Sequence, residues 1–375
     1  MGKRGERVTA VEEKATGPTG SSGPSVPAGT AERTADAEAV NPKRRSAGIH
    51  VAGIAVVLAL LAGITFASLA YGSGYVPLGR VWEVLWHSDN SADSIVMHDL
   101  RIPRTILGLA VGAALGVAGA LIQAVTRNPL ADPGILGVNA GAAFAVTCGI
   151  AFLGLDGVRG YVWYAMAGAA IASVAVYVIA AGGGKGATPL RLTLVGMALG
   201  AVLLGSTRAI GLLDPATYDE IRFWEAGTIA DRPPETLGAI LPFVLVGLVI
   251  ALICARPLNA LALGEDAATS LGAKVGLVRA GSLLAIMLLC GGAVAAAGPI
   301  AFLGLMVPHV VRWIFGPDQR WIIVYTMLLS PSLLLGADII GRFLISGELP
   351  VGVVMALVGA PILILLVRRS KASGL

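Results

Sequence analysis

The chain has 375 residues, 56% hydrophobic and only 13% charged, with a mean hydropathy of +0.80. Soluble domains carry about 25% charged residues, so this composition excludes an ordinary soluble enzyme and implies a membrane protein. The net charge of +4 does not call for a nucleic-acid partner, because the placement of Lys and Arg along the spans accounts for it.

Residues 1–46 are rich in Gly, Pro, Ser, Thr, Ala and charge, without apolar periodicity. They predict a disordered cytoplasmic tail. So long a charged region ahead of the first apolar run is unlike a signal peptide. Lys43, Arg44 and Arg45 then hold the start of a first span, 51–71, in the cytoplasm.

Nine further spans follow, at about 102–124, 135–154, 161–181, 190–212, 236–254, 276–296, 300–315, 321–342 and 350–367. The expected fold is therefore all-α, with ten transmembrane helices in residues 47–370. Ten spans place both termini on one side. On this topology Lys and Arg divide 19 inside to 8 outside, and 11 to 8 without the tail, which puts both termini in the cytoplasm. Outside, 72–100 reads as a long loop, and in 213–235 the grouping of Ile221, Phe223 and Trp224 predicts a short interfacial helix. Inside, the connections are 125–134, 182–189, 255–275 and 316–320. Cys148, Cys254 and Cys290 lie in apolar runs without disulfide or metal spacing, and the 50 glycines suit close helix approach.

Several polar segments interrupt this pattern. Arg101 and Arg104, three apart around Pro103, open the second span from outside. Cations at a helix N-terminus oppose its dipole, so they serve something else: snorkelling to headgroups, or pairing with acidic side chains of an external partner. Further on, Pro129, Pro133 and Gly134 break the segment 123–139 at the inner side. Irregular backbone at membrane depth belongs inside protein or beside a water-filled path; the alternative is an ordinary hairpin. Polar Gln123 and Asn139 flank this break. A second Gly/Pro-broken element, 297–312, suggests two related halves around a central path. His309 has no second ligand at metal spacing and reads as a packed helix-end residue. Asp338 and Arg342 stand at i and i+4, either as a structural ion pair or with Arg342 facing the outer mouth near Glu348.

The segment 256–274 carries Arg256, Glu265, Asp266 and Lys274 and cannot cross a bilayer. Gly264 can cap a small helix with Glu265 and Asp266 in its first turn, and Gly272 can end it. Leu261, Leu263 and Leu271 give it an apolar side. It reads as a handle for another protein.

No phosphate-binding GxxxxGK[ST] motif is present, since the run 182–188 around Lys185 lacks its spacing. No nucleophile–base pair or metal cluster appears either, so no catalytic residue, metal or cofactor is expected. Apart from Asp338 and Arg342, the buried carboxylates of a proton-coupled secondary transporter, the alternative class, are sparse.

Five stretches resemble the FecCD family of permease subunits of type II ABC importers for ferric siderophores, haem and cobalamin. They are RIPRT from Arg101, TRNPLADPGILGVNAG from Thr126, RPLNALALGED from Arg256, GPIAFLGLMVPH from Gly298 and ELPVG from Glu348. The resemblance covers about residues 50–370, and the NPLADP wording is closest to ferric-siderophore permeases. It implies a dimer of permeases, identical or related, around a central path, two cytoplasmic ABC ATPases and an external substrate-binding protein. It implies that Arg101, Arg104 and Arg342 dock glutamates of the binding protein. It places Asn128, Pro129 and Leu130, with Thr188, Pro189 and Leu190, at an inner gate. Leu261 to Leu271, with Glu265 and Asp266, become the coupling helix seated on the ATPase. The gate loop before the fifth span departs from the cobalamin importer, with a glycine run and a proline in place of its hydroxyl-rich stretch. The tail has no counterpart in the family pattern.

Overall fold

The computed structural model describes residues 47–72, 76–87, 89, 91–155, 157–182, 188–345 and 347–372; the predicted tail lies outside them. The chain forms α1 (Ala47–Ala70), α2 (Leu78–Trp86), α3 (Ala92–Ile95), a π-helical turn (Val96–Arg101), α4 (Ile102–Thr126), a 3-10 turn (Pro133–Leu136), α5 (Val138–Leu153), α6 (Gly157–Ala181) and α7 (Pro189–Leu213). There follow α8 (Pro215–Glu225), α9 (Pro234–Ala262), α10 (Glu265–Ser270), α11 (Val275–Ala297), α12 (Leu303–Phe315), α13 (Gln319–Leu344) and α14 (Val351–Ala372). Seven helices among the described residues are long and apolar enough to cross a membrane. Three shorter apolar helices, Val138–Leu153, Leu303–Phe315 and Val351–Leu365, coincide with the third, eighth and tenth predicted spans. The chain is an all-α, multi-pass membrane protein.

The bundle is built around α4. The reason is local: Gly108, Gly112, Gly116 and Gly119 form a strip of small residues along one side of that helix. A Cβ at Gly112 would stand 2.6 Å from Pro331 Cα of α13, and one at Gly119 would collide with the Gly304 carbonyl of α12. Backbones thus meet where side chains are missing. By contrast α1 and α7 are peripheral and expose most of their apolar surface, as lipid-facing spans do. Near its first turn α1 rests on α13, where the Tyr325 hydroxyl donates to the His50 carbonyl at 2.9 Å and Tyr325 stacks on Phe315 at 3.6 Å.

Two boundaries and one buried face differ from the sequence reading. The outer segment 72–100 contains α2, α3 and a π turn, and the last runs directly into α4. Arg101 and Arg104 therefore lie within one continuous helical stretch, Ala92–Thr126, and the opposing-dipole argument does not apply to them. Helix α9 continues through Pro257 to Ala262, well beyond the predicted end at 254, because a proline can be held inside a helix whose neighbours satisfy the freed carbonyl. In α8, the expected interfacial helix, Ile221 and Trp224 are buried and Phe223 is exposed, so two of the three aromatic or aliphatic residues serve the core.

Candidate functional site: an arginine cleft, a broken turn and a capped polar helix

Around the end of α1, three arginines predicted as one group are distributed over different tasks. The last carbonyls of α1 have no intrahelical partners, and cations are favoured at that end of a helix. Arg101 Nη1 donates to the carbonyls of Leu69 and Ala70 at 2.7 and 2.8 Å. Arg342 Nη1 donates to the Ser68 carbonyl at 2.8 Å and to that of Tyr71, and its Nη2 to Ser68 Oγ at 3.1 Å. These two guanidinium groups cap α1 from the π turn ahead of α4 and from α13. Arg342 also pairs with Asp338 at 2.7 Å, and both side chains are 1% exposed. The ion pair expected at i and i+4 is formed. Arg342 also borders the cleft that Glu348 lines, with its donors turned to the orphan carbonyls of α1.

Arg104 grips Asp338 with two hydrogen bonds, Nε to Oδ2 at 3.0 Å and Nη2 to Oδ1 at 2.8 Å. Its Nη1 reaches Glu348 Oε2 at 2.7 Å. Asp338 is thus shared by two arginines, and Arg104 keeps 14% of its side-chain surface. Arg101, Arg104, Arg342 and Glu348 wall a cleft of about 200 Å³ together with Asp99, Asp231 and Arg232. Sequence reasoning passed over Asp231 and Arg232. The signal available was an arginine beside two prolines at the mouth of a predicted span.

Near the end of α4 the two Gly/Pro-broken elements come together. Gln123, 2% exposed, donates to the carbonyls of Gly304 and Leu305 at 3.3 and 3.1 Å. Its Oε1 accepts from Arg312 Nη2 at 3.2 Å. Gln123 therefore satisfies the Gly304 carbonyl, which Pro308 inside α12 leaves without its i+4 donor; the residue ahead of that helix, Phe302, sits in the left-handed region at φ 68°. Arg127 ends α4 at φ 50°, and Asn128 Oδ1 accepts from the Leu130 amide at 3.0 Å to close an Asx turn. Asp132 caps the 3-10 turn through the Gly134 amide at 2.8 Å. Pro129 lies between these anchors. Asn139 Oδ1 lies 3.9 Å from Cys290 Sγ, which ties α5 to α11. Across the gap, Thr188 caps α7 by accepting from Arg191 N at 3.4 Å, Pro189 is its first residue, and Leu190 is exposed. Helix α7 abuts the 3-10 turn where Gly196 meets the Ile135 carbonyl. Leu130 and Leu190 both present apolar side chains outward from the chain.

The handle has the predicted caps. Gly264, at φ 110°, precedes α10, with Glu265 and Asp266 in the first turn. Gly272, at φ 82°, ends it: its amide donates to the Thr269 carbonyl at 2.9 Å and that of Ala273 to Ala268 at 2.9 Å, the double bond of a Schellman cap. The leucines divide. Leu261 is buried as part of α9, and Leu263 and Leu271 are exposed, so the apolar surface of the handle is formed by the latter two. Glu265 Oε1 accepts from Arg279 Nη2 of α11 at 2.5 Å and stands 4.0 Å from Arg127. Arg279 was readable, since a charge one turn inside an apolar span needs a partner. The other end of the handle is fixed by Asn259, which donates to Asp318 Oδ1 at 2.7 Å and accepts from the Gln319 amide at 2.8 Å.

These features match known proteins along nearly the whole chain. The model of the FecCD transport family matches residues 59–369. The chain is 49% identical over 318 residues to the ferric enterobactin transport system permease protein FepD of Escherichia coli, covering 85% of this chain and 95% of that one. It is 36% identical over 330 residues to the Fe(3+)-citrate import system permease protein YfmD of Bacillus subtilis, covering 88% and 98%. Among solved structures, an inward-facing metal-chelate type ABC transporter superposes with a TM-score of 0.74 at 27% identity, over 85% of this chain and 99% of that chain. A family match of this extent, on a bundle with the expected helices, leaves one assignment: the chain belongs to the FecCD transport family.

Proposed function

We propose that residues 47–370 form the permease subunit of an ABC importer that carries an iron–siderophore complex into the cytoplasm. The observation that carries this reading is the 49% identity to a ferric enterobactin permease over 95% of its length. Haem or cobalamin is the second cargo class, which the resemblance alone allows. The permease pairs with a second permease subunit and with two cytoplasmic ATPases, and receives cargo from an external substrate-binding protein. Both termini lie in the cytoplasm.

In this reading the binding protein docks over the outer cleft, where Arg104 meets it and Arg101 and Arg342 hold the walls. The ATPase seats on α10, against Leu263, Leu271, Glu265 and Asp266, with Gly264 and Leu261 fixing how the helix leaves α9. Its closure moves α10, and Glu265 passes the movement to Arg279 and Arg127. The inner gate comprises Asn128, Pro129, Leu130, Thr188, Pro189 and Leu190, with Gln123 and Asn139 anchoring its backbone. The chain performs no covalent chemistry; ATP is hydrolysed by the separate subunits.

The test is uptake into proteoliposomes holding the permease, its ATPase and its binding protein, with labelled ferric catecholate siderophore and labelled cobalamin side by side. ATP-dependent accumulation of the siderophore is expected. Uphill movement of solute in vesicles containing this chain alone would overturn the ATP-driven reading, and cobalamin accumulation without siderophore uptake would overturn the cargo.

A further inference from the structure

Arg232 differs from the other arginines of the outer cleft in what it does with its donors. Arg104 and Arg342 share Asp338, and Arg101 is spent on the end of α1. Arg232 makes one hydrogen bond, Nε to the Thr228 carbonyl at 3.2 Å, and among the described residues no carboxylate stands within ion-pair distance of it. Neither of its terminal nitrogens is sealed from solvent, and the residue lines the cleft. Burial pushes its guanidinium down to about 10, against the opposing field of Asp231. A partly desolvated cation without a partner is costly, and such groups cluster at binding sites.

The mount is stiff. Asp231 is held at φ 53°, and Pro233 and Pro234 follow at the start of α9, where ring closure fixes φ. On the other side the Thr228 amide donates to the Ala297 carbonyl at 2.7 Å, and Ile229 is fully buried against Gly108 of α4. A fixed guanidinium fork whose Nη1–Nη2 edge is free suits a planar anion bound through parallel hydrogen bonds. The cleft, about 200 Å³, takes a side-chain carboxylate; sites for whole small molecules begin at about 300 Å³.

We propose that Arg232 is a docking residue of the outer cleft, its two Nη groups donating to a carboxylate on an acidic side chain of the external substrate-binding protein. The proposal rests on the docking reading above and adds to it a residue that the sequence motifs do not contain.

The experiment uses the permease–ATPase complex in lipid nanodiscs, carrying Arg232→Gln or Arg232→Lys. Affinity for the partner binding protein is measured substrate-free and loaded, at low and high salt. Co-purification of the ATPase reports folding, and Arg232→Lys, which keeps charge and bulk, supplies a folded variant if Arg232→Gln is unstable. Arg232→Gln is expected to weaken docking of both forms about tenfold or more and to flatten its salt dependence. Arg232→Lys should show an intermediate loss, because the charge stays and the fork goes. Unchanged docking by a folded variant overturns the proposal, as does a loss confined to the loaded form, which would assign Arg232 to the chelate. Failure of the unaltered complex to bind the protein at all would instead overturn the docking reading.

Discussion

Arg104 and Asp338, 234 positions apart in sequence, meet through a two-pronged contact of 3.0 and 2.8 Å that fastens α4 to α13 beneath the outer cleft. Because Arg342 binds the same carboxylate from one turn away and also caps α1, this carboxylate joins three spans. The outer cleft is consequently a structural joint as well as a surface.

Asp338→Asn should therefore be among the most damaging single changes outside the glycine strip. It leaves buried Arg342 without its counter-charge and Arg104 with Glu348 alone, a loss of about 3–5 kcal/mol. Thermal unfolding of the purified subunit in detergent measures it, and an unchanged transition would remove Asp338 from the joint. Arg101→Glu is expected to destabilise by a different route, since it removes two donors and places a carboxylate against the carbonyls of Leu69 and Ala70.

Gly119→Ala should cost about 1–3 kcal/mol, because the added methyl meets the backbone of Gly304 and cannot be relieved by a rotamer change. Gly63→Ala is the control: nothing lies within 4 Å of a Cβ there, so the yield and melting temperature of that variant should match the parent. Equal behaviour of the two variants would refute close α4–α12 packing.

Glu265→Lys should separate ATP turnover from transport. It sets a third cation beside Arg279 and Arg127, at 2.5 and 4.0 Å in the parent, and reverses a first-turn charge that favours α10. Expected results are reduced ATPase co-purification or, where the complex survives, ATP turnover that no longer responds to the binding protein. Wild-type values for both measurements would dismiss α10 as the handle.

Asp318 offers a pH test. Burial raises its pKa, but hydrogen bonds from Arg320 and Asn259 outweigh this and bring it from 3.8 to about 2. A depressed folded-state value stabilises fully above the unfolded pKa, and the contribution is lost as pH falls through the window from about 4 to about 2. Asp318→Asn should lower stability at neutral pH and narrow its difference from the parent as the medium is acidified. A difference constant down to pH of about 2 would contradict this linkage.

The family, the all-helical class and the polar handle were legible in the chain because each depends on local signals. Apolar run length marks the spans, Gly264 and Gly272 mark the ends of α10, and the charges of 256–274 exclude it from the bilayer. The i, i+4 pairing of Asp338 with Arg342 was legible for the same reason. What Arg101, Arg104 and Arg342 touch was not, because their partners lie on helices tens or hundreds of positions away. The unsatisfied carbonyls at the end of α1 exist as a demand only once that end is buried. Likewise, the sequence shows Gln123 as polar and Gly304 as small, but only the crossing of α4 and α12 makes one the hydrogen-bond donor to the other. Leu261 and Leu263, two positions apart, were read as one apolar side. The extension of α9 past Pro257 turned the first into the core and left the second exposed, a division set by the helical phase that packing selects.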